Sequence, residues 1–446
     1  MKKKQRLLSD TRILVLGYFG VIIFGALLLM LPIATRSGES TSLLDAVFTA
    51  TSATCVTGLV VYDTFTHWTL FGQLVILSLI QVGGLGFMTL FAYMNFSIGQ
   101  KMGYHNTKLV MESAGTMSLS GIYPLVKKIV NGTIIFELAG ALLLSVRFIP
   151  KFGLPFGIYA SIFHSVSAFC NAGFDVMGGI EPGSSMASFG DDPLVMLTLM
   201  MLIVIGGIGF FVWSDIFANK FRFKKYQLHT KVVLVTTGAL LLGGFLLFFI
   251  FEYNSAFKNM NLGEKVLASM FQSVTTRTAG FAAVDQDTLS ESGSILTVML
   301  MFIGGSPGST AGGIKTTTVA VMVLSAIAYA QEDHDVTAFK RKIEDKMVRR
   351  TSAIICIYFA FVTTATLVMC TFEPYSLREI LFETVSAVGT VGLSTGITSS
   401  LTIFSKMIIV VLMFAGRVGA LSFVLALSGK QPLARLERPT GKIMIG

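Results

Sequence analysis

Four short segments of this chain end on a glycine in the same register, and they hold the residues best placed to do chemistry. The segments read FTATSATCVTGL from Phe48, FHSVSAFCNAGF from Phe163, FQSVTTRTAGF from Phe271 and FETVSAVGTVGL from Phe382. Side chains vary in the two columns before the glycine, whereas the glycine is constant. The shared chemistry is therefore that of the backbone, because glycine permits positive φ and exposes carbonyl oxygens that can replace the hydration shell of a cation.

The predicted ion-binding positions are the glycine and the two residues before it in each segment. They are Val56, Thr57, Gly58, Asn171, Ala172, Gly173, Thr278, Ala279, Gly280, Thr390, Val391 and Gly392. The alternative is that these glycines only permit the close packing of a turn. Four glycines in register, each preceded by a short apolar helix, favour a pore over that alternative.

The composition identifies the elements that must position these segments. Of 446 residues, 53% are hydrophobic and 13% are charged, against about 25% charged in an average soluble domain. Apolar stretches long enough to cross a hydrocarbon core of about 30 Å recur along the chain. The net charge of +9 lies in short basic blocks between these stretches, which argues against nucleic acid as a partner. The sequence thus predicts an all-α polytopic protein embedded in a lipid bilayer.

Eight main spans are predicted from the apolar stretches. They lie near 13–33, 70–94, 129–149, 193–217, 232–251, 295–330, 352–372 and 401–427. Of the 34 Lys and Arg residues, 24 fall on one side of these spans, seven on the other and three in membrane-associated segments. The positive-inside rule then places both termini in the cytoplasm.

The short segment from Thr41 to Ala53 reaches only about 20 Å as a helix, too little to cross the bilayer. It must enter and return on the outer side. A span, a re-entrant pore helix and a second span make one M1-P-M2 unit, and four units surround a pseudo-fourfold pore. The predicted repeats are residues 1–100, 101–225, 226–345 and 346–446, the last with a cytoplasmic tail. A second set of motifs supports them, namely QVGGLGF at Gln81, VIGGIGF at Val204, FIGGSPG at Phe302 and FAGRVGA at Phe414.

Two departures from the repeat mark candidate gating residues. Arg417 replaces a glycine in the fourth repeat near the middle of a predicted span, where an arginine costs about 2.5–3.5 kcal/mol. It should face the pore, or else pair with an acid such as Glu137. The stretch GGSPGSTAGGIKT, residues 304–316, cannot be a regular helix, and Ile314 breaks the phosphate-loop pattern. Either it is a flexible intramembrane gating loop or a static broken helix. The candidate gating residues are Gly304, Gly305, Gly308, Gly312, Gly313, Lys315 and Arg417.

The motifs VTGL, NAGF, TRTAGF and TVGL, in a chain of four such units, resemble those of the ion-translocating subunits of the Ktr, Trk and HKT superfamily of potassium transporters. The resemblance covers almost the whole chain and is strongest to the membrane subunits of bacterial Ktr systems, of the KtrB or KtrD type. It implies a single-file potassium path through each subunit, a homodimer and a cytoplasmic ring of nucleotide-binding, RCK-type regulatory subunits. Glycine at the position of Gly58 accompanies potassium preference in that family, and serine accompanies sodium preference. The family's arginine at the position of Arg417 projects into the path below the filter.

We therefore expect the pore-forming subunit of a potassium uptake system in a bacterial plasma membrane. Neither enzymatic activity nor a cofactor is expected, with K+ as the transported ion at the filter and no transition-metal site, because the cysteines and histidines lack ligand spacing. The alternative is an ion-coupled secondary carrier for another monovalent cation such as sodium. Four repeats in one orientation argue against the inverted repeats typical of such carriers. A membrane enzyme would need acids, histidines or serines clustered within the spans, and the sequence shows no such cluster.

Overall fold

The computed structural model describes residues 10–97, 122–180, 183–220 and 222–427. Residues 1–9, the predicted boundary between the first two repeats and the predicted C-terminal tail from 428 lie outside this part of the chain. The helices are α1 (Asp10–Leu29), α2 (Leu43–Thr54), α3 (Thr64–His67), α4 (Leu70–Leu85), α5 (Phe87–Ser97), α6 (Ile122–Phe152), α7 (Leu154–Phe169), α8 (Pro193–Gly207), α9 (Phe210–Asn219), α10 (Leu228–Glu252), α11 (Leu262–Thr275), α12 (Glu291–Phe302), α13 (Thr316–Ala330), α14 (Asp345–Phe372), α15 (Leu377–Gly389), α16 (Ile403–Val418) and α17 (Ala420–Leu427).

Within the described residues, the β-strands form one small hairpin between α13 and α14. Its strands are β1 (Thr337–Ala338) and β2 (Arg341–Lys342), which pair antiparallel. Short 3₁₀ turns connect other elements, at Pro32–Ala34, Met177–Gly179, Ala187–Phe189, Phe223–Lys225, Gln286–Thr288 and Ile397–Ser400. The predicted all-α membrane fold is confirmed.

Four long helices, α1, α6, α10 and α14, form the first span of each unit. Each is long and apolar enough to cross a membrane by length and composition. Each packs against the shorter helix that follows it, α2, α7, α11 or α15. Serine and threonine hydroxyls join the two helices in the last three units: Ser165 donates to the Glu137 carbonyl, Ser273 donates to the Leu241 carbonyl, and Thr384 bonds Thr366.

The four short helices, α2, α7, α11 and α15, correspond to the predicted re-entrant segments. They contain 12, 16, 14 and 13 residues, or about 18–24 Å at 1.5 Å per residue, which is too short to cross the hydrocarbon core. Side-chain caps fix where three of them begin: Ser42 caps α2, and Asn261 and Ser376 form capping boxes with Glu264 and Glu379. Their C-termini lie directly before the glycine segments.

The second span of each unit is interrupted, and over 70–94, 193–217 and 401–427 each predicted span consists of two helices with a sharp bend between them. The helices bend by 88°, 95° and 102° between α4 and α5, α8 and α9, and α16 and α17. Gly86, Gly209 and Gly419 lie at these bends with φ of 79°, 96° and 91°, values that side-chain-bearing residues rarely adopt. In the third unit the loop after α12 makes the break. Arg417 consequently lies in the last turn of α16 rather than at mid-span.

The units close into a ring because each short helix packs against the second span of the unit before it. The contacts run from α4 to α7, from α8 to α11, from α12 to α15 and from α16 back to α2. Small residues make these seams close. A Cβ at Gly84 would lie 2.6 Å from the sulfur of Cys170, and one at Gly389 would lie 2.6 Å from the carbonyl oxygen of Met301.

Polar contacts on the predicted outer side join each unit to the next. Asp63 accepts from the Gly183 amide, Ser185 accepts from the Ala282 amide, and Arg378 pairs with Asp287. Between the fourth and first units, Lys406 pairs with Asp45 at 3.1 Å, and each side chain is 12% exposed. Residues 361 positions apart thereby close the ring.

We expect Lys406→Met to destabilise the protein, because it leaves the mostly buried Asp45 carboxylate without its cation. Breaking a buried pair costs about 3–5 kcal/mol, and the hydroxyls of Ser42 and Tyr62 that also donate to Asp45 reduce this toward the lower end. Thermal unfolding in detergent measures the loss. The matched control is Arg147→Met. Arg147 pairs with Asp192 but is 52% exposed, so this pair contributes at most about 1 kcal/mol. Equal effects of the two substitutions would contradict the closure role of Lys406.

Candidate cation filter and the loop beneath it

The four glycine segments adopt the same unusual backbone conformation. Gly58, Gly173, Gly280 and Gly392 have φ of 96°, 69°, 79° and 93°, as predicted for positions that expose carbonyl oxygens. The residues two positions earlier are also left-handed, with φ of 50° to 64°, and they are Val56, Asn171, Thr278 and Thr390. A left-handed conformation costs roughly 1–2 kcal/mol for a side-chain-bearing residue. The four residues are therefore strained, and the surrounding structure must hold them in this conformation.

The four glycines lie against one another in cyclic order. A Cβ at Gly58 would lie 2.6 Å from the Ala172 carbonyl oxygen, one at Gly173 would lie 2.8 Å from that of Ala279, and one at Gly280 would lie 2.5 Å from that of Val391.

The fourth contact closes the cycle. A Cβ at Gly392 would overlap the carbonyl oxygen of Thr57. Each glycine therefore faces the carbonyl that precedes the glycine of the next unit, and these contacts bring eight of the twelve predicted positions, the four glycines and the residue before each, into one ring. All eight of the side-chain-bearing positions among the twelve are fully buried.

One hydroxyl in each unit, at the same position of the repeat, joins the glycine segment to its own pore helix. Together these four hydroxyls form the hydroxyl column. Ser52 and Ser386 each accept from the amide of the filter glycine, at 3.1 Å. Ser167 and Thr275 each donate to the carbonyl of the residue after the glycine, at 2.7 and 2.6 Å. These four residues are not among those predicted from the sequence. Their signal was present, since each lies four positions after the first phenylalanine of its segment.

Three threonine hydroxyls in the ring have no protein partner. The Oγ1 atoms of Thr57, Thr278 and Thr390 are buried without a hydrogen bond to any described residue. A buried polar atom left unpaired costs about 1–3 kcal/mol. Oxygen ligands of this kind suit a hard cation, which prefers oxygen to nitrogen or sulfur.

The glycine-rich stretch forms an irregular loop between α12 and α13 that is fastened to the second unit. The Ser306 amide donates to the Gly207 carbonyl at 2.9 Å, and the Phe210 amide donates to the Gly308 carbonyl at 2.8 Å. These bonds use backbone groups freed by the break between α8 and α9. The loop is also tied to itself, because the Gly304 amide donates to the Ile314 carbonyl and the Thr316 amide donates to the Gly305 carbonyl.

The loop touches the base of the ring at two opposite units. Thr310 Oγ1 lies 3.0 Å from Asn171 Oδ1 in the second unit. In the fourth unit a Cβ at Gly312 would overlap the Thr390 side chain, and one at Gly313 would lie 3.0 Å from the Gly389 carbonyl oxygen. Since the second and fourth units face each other across a ring of four, the loop extends from one side of the ring to the other.

Among the described residues, Arg417 bonds to backbone carbonyls and not to an acid. Its guanidinium donates to Thr310 of the loop and to Gly83 and Gly84 of the first unit. Glu137, the alternative partner, instead accepts from Gln81 at 3.2 Å. Arg417 thus joins α16 to the loop and to the break between α4 and α5, below the ring.

Lys315 stands at the C-terminal end of the loop as the N-cap residue of α13. Its Nζ donates to the Ala311 carbonyl at 2.6 Å and to the Gly312 carbonyl at 3.3 Å. Its ammonium group therefore satisfies loop carbonyls that would otherwise be unpaired. The loop and its surroundings contain two cations, Lys315 and Arg417, both bonded only to carbonyl oxygens among the described residues.

Comparison with known proteins decides the family. Residues 2–438 match the model of the family described as TrkH, cation transport protein. The chain belongs to this family. Its members are ion transporters, and the chain is a multi-pass membrane protein of that kind.

Characterised relatives of the TrkH family are similar along their entire length. The "Ktr system potassium uptake protein B" of Bacillus subtilis is 42% identical over 98% of this chain and 97% of its own length. The "Potassium/sodium uptake protein NtpJ" of Enterococcus hirae is 40% identical over 100% of this chain and 99% of its own. The "Ktr system potassium uptake protein D" of Bacillus subtilis is 35% identical. The resemblance to Ktr membrane subunits is confirmed.

The same fold occurs in a solved structure of the family. The potassium transporter TrkH from Vibrio parahaemolyticus superposes with a TM-score of 0.75, covering 96% of this chain and 87% of that one, at 18% identity. The likeness confirms the arrangement of spans and re-entrant helices.

We expect Ser386→Ala to loosen the filter of this TrkH-family protein. The change removes the acceptor of the buried Gly392 amide, and an unsatisfied buried donor costs about 1–3 kcal/mol. Thermal unfolding measures the loss, and cysteine accessibility in the filter measures local opening. The matched control is Ser78→Ala, whose hydroxyl donates within an exposed part of α4 and whose loss is expected to shift stability by less than about 0.5 kcal/mol. Unchanged cysteine accessibility together with unchanged thermal stability would show that the hydroxyl column is dispensable.

Proposed function

We propose that this protein is the pore-forming subunit of a bacterial potassium uptake system, conducting K+ through a filter of backbone carbonyls. The observation that supports this most is the cyclic contact of four glycines with the carbonyls of the neighbouring units. Carbonyl oxygens brought together in a ring can replace water around an ion. Four helix C-termini end at that ring, each equivalent to roughly half a negative charge.

The unpaired hydroxyls add to this support. Thr57, Thr278 and Thr390 offer oxygen atoms that no donor among the described residues uses, and Gly58 has the residue type that accompanies potassium preference in the family. The loop at 304–316 is proposed as the gate, since it extends from one side of the ring to the other and is joined to Arg417.

The proposed setting is the bacterial plasma membrane with both termini cytoplasmic, in a homodimer bound to an RCK-type ring. The inner side would offer such a partner the exposed hairpin between α13 and α14, which carries Lys340, Arg341 and Lys342. No covalent chemistry and no cofactor are proposed. The names of Ktr proteins B and D, as components of a Ktr system, support a partner for this chain as well.

The alternative, a carrier for another monovalent cation such as sodium, has one point in its favour. The name of the Enterococcus hirae relative includes sodium as well as potassium. Against it stands the cyclic arrangement of four units in one orientation, whereas secondary carriers commonly place inverted repeats around a site at the midplane.

Ion flux tests the proposed function directly. We expect liposomes that hold the purified full chain to take up Rb+ or K+ down a gradient, and to take up Na+ more slowly. Protein-free liposomes are the control. Absence of flux of any of these cations, with and without a regulatory subunit, would overturn the proposal, and flux of Na+ alone would favour the alternative.

We expect Gly58→Ser to reduce potassium-to-sodium discrimination by about tenfold or more, the equivalent of about 1.4 kcal/mol. The new side chain would press on the Ala172 carbonyl oxygen, which lies 2.6 Å from the position of a Cβ at residue 58. The ring is closely packed there, so the carbonyl must move. Competition of Na+ with Rb+ uptake measures the change. The matched control is Gly396→Ser, at an exposed glycine with nearly the same φ, 94° against 96°, and nothing within 4 Å of a Cβ. Unchanged discrimination in folded Gly58→Ser would remove Gly58 from the filter.

We expect Arg417→Gln to raise cation flux per assembled protein by up to about thirtyfold. A unit charge roughly 8 Å from a permeating ion is worth about 2 kcal/mol at an effective dielectric of about 20. Arg417→Lys separates charge from hydrogen bonding, because lysine keeps the charge but cannot bridge Thr310 and Gly83 with a planar fork. Fast flux in Arg417→Gln with slow flux in Arg417→Lys would identify the charge as the barrier. Faster flux in both variants would identify the hydrogen bonds of Arg417 to the loop as the barrier. Unchanged flux in both would contradict any role of Arg417 in permeation.

A further inference from the structure

A cavity of about 610 Å³ lies away from the filter, between the first turns of α6 and helix α9. Its walls are mostly apolar, with Phe136, Trp213 and Phe217 among them, while two lysines, Lys127 and Lys128, line it on α6. Its volume is within the range of sites that hold drug-sized ligands. It contains no residue of the filter or the loop.

The lining residues of α6 form one face of the helix with a polar beginning and an apolar end. Pro124, Lys128, Asn131 and Ile135 follow one another at spacings of four, three and four residues, which places them on one stripe. Lys128 and Ile135 are separated by about 10 Å along the axis at 1.5 Å per residue. Lys127 and Lys128 are exposed, so their ammonium groups are available to a ligand.

The break between α8 and α9 leaves the space that this cavity occupies. Helix α9 turns by 95° from the direction of α8, so it does not continue the path of α8. Trp213 is held in place by its indole N–H, which donates to the Ile205 carbonyl at 2.9 Å. The cavity between α9 and the start of α6 is thus an apolar recess with basic residues at one end.

We propose that this recess binds one anionic phospholipid of the cytoplasmic leaflet, with its phosphate on Lys127 and Lys128 and an acyl chain against Trp213 and Phe136. The proposal rests on the inner placement of the start of α6, which is part of the proposed topology, but not on the identity of the transported ion. Basic pockets between spans on the cytoplasmic side suit anionic head groups, and each basic residue near the surface is worth about a fourfold to sixfold change in affinity.

A second groove in the same protein shows what the lysines add. It measures about 560 Å³ and lies between α14, α16 and α17, with Phe361, Phe404 and Phe423 in its walls. No charged side chain lines it. We expect it to accept acyl chains of any lipid without preference for the head group, so it serves as an internal reference.

The test measures binding of phosphatidylglycerol and phosphatidylcholine to the full chain by native mass spectrometry after removal of lipid. We expect Lys127→Gln with Lys128→Gln to weaken phosphatidylglycerol binding about thirtyfold and to leave phosphatidylcholine binding unchanged. Gly132→Leu tests the part of the recess that would hold the acyl chain. A Cβ at Gly132 has ordinary contact with Trp213 at 3.5 Å, so a longer side chain fills the recess. We expect it to abolish the preferred site for phosphatidylglycerol.

Matched controls are Lys224→Gln with Lys225→Gln, an exposed basic pair outside the recess, and Ala360→Leu in the second groove. We expect neither to change the preference for phosphatidylglycerol. Equal losses in the Lys224 and Lys225 variant would show a general charge effect and overturn the site, as would unchanged binding in both recess variants.

A photo-crosslinker at Ile135, which is 64% exposed, identifies the occupant in membranes. Labelling of lipid is expected. Labelling of a second copy or of residues 98–121 would overturn the proposal. Because lipid binding is measured without ion flux, a failure here leaves the proposed transport function standing, and a failure of transport leaves the lipid site standing.

Discussion

The absence of a side chain at four positions is the constraint on which the rest of the structure depends. A Cβ at Gly58, Gly173, Gly280 or Gly392 would press on a carbonyl oxygen of the next unit, so the ring can close only when all four positions are glycine. The ring also requires left-handed backbone at Val56, Asn171, Thr278 and Thr390. Such strain persists only where the surroundings over-determine it, and the pore helices, the hydroxyl column and the closely packed seams provide those surroundings.

Irregular backbone at membrane depth needs partners for its polar groups, since lipid offers none. Two kinds of group supply them here. Ser52, Ser167, Thr275 and Ser386 satisfy backbone groups of the filter segments, while breaks in the second spans free backbone groups that satisfy the loop. The glycine at each bend therefore does more than turn the chain, because the freed carbonyls of Gly83, Gly206 and Gly207 become acceptors for Arg417 and for loop amides.

The third and fourth units each depart from the fourfold repeat of the ring at one place. Only the third unit replaces its bend with a long loop, and only the fourth replaces a motif glycine with arginine. The structure joins these two departures through the bond from Arg417 to the Thr310 carbonyl. Thr310 also reaches Asn171 at the base of the ring. A displacement of the loop would therefore change contacts in the second, first and fourth units at once, which gives a physical route from loop position to the geometry of the glycine ring.

The all-α membrane fold, the four re-entrant helices and the four glycines in register could be predicted from the sequence, because apolar length and a repeated glycine are local properties of the chain. It also marked Arg417 and the stretch 304–316 by their departure from the repeat. Only the tertiary structure decided where the second spans break, which carbonyls Arg417 binds and which units the loop touches. Positive φ at Val56 or Thr390 had no signal in residue type, because β-branched residues avoid that conformation in isolation. The contacts behind these features join residues more than 70 positions apart, and hydrophobic periodicity along the chain carries no information about such contacts.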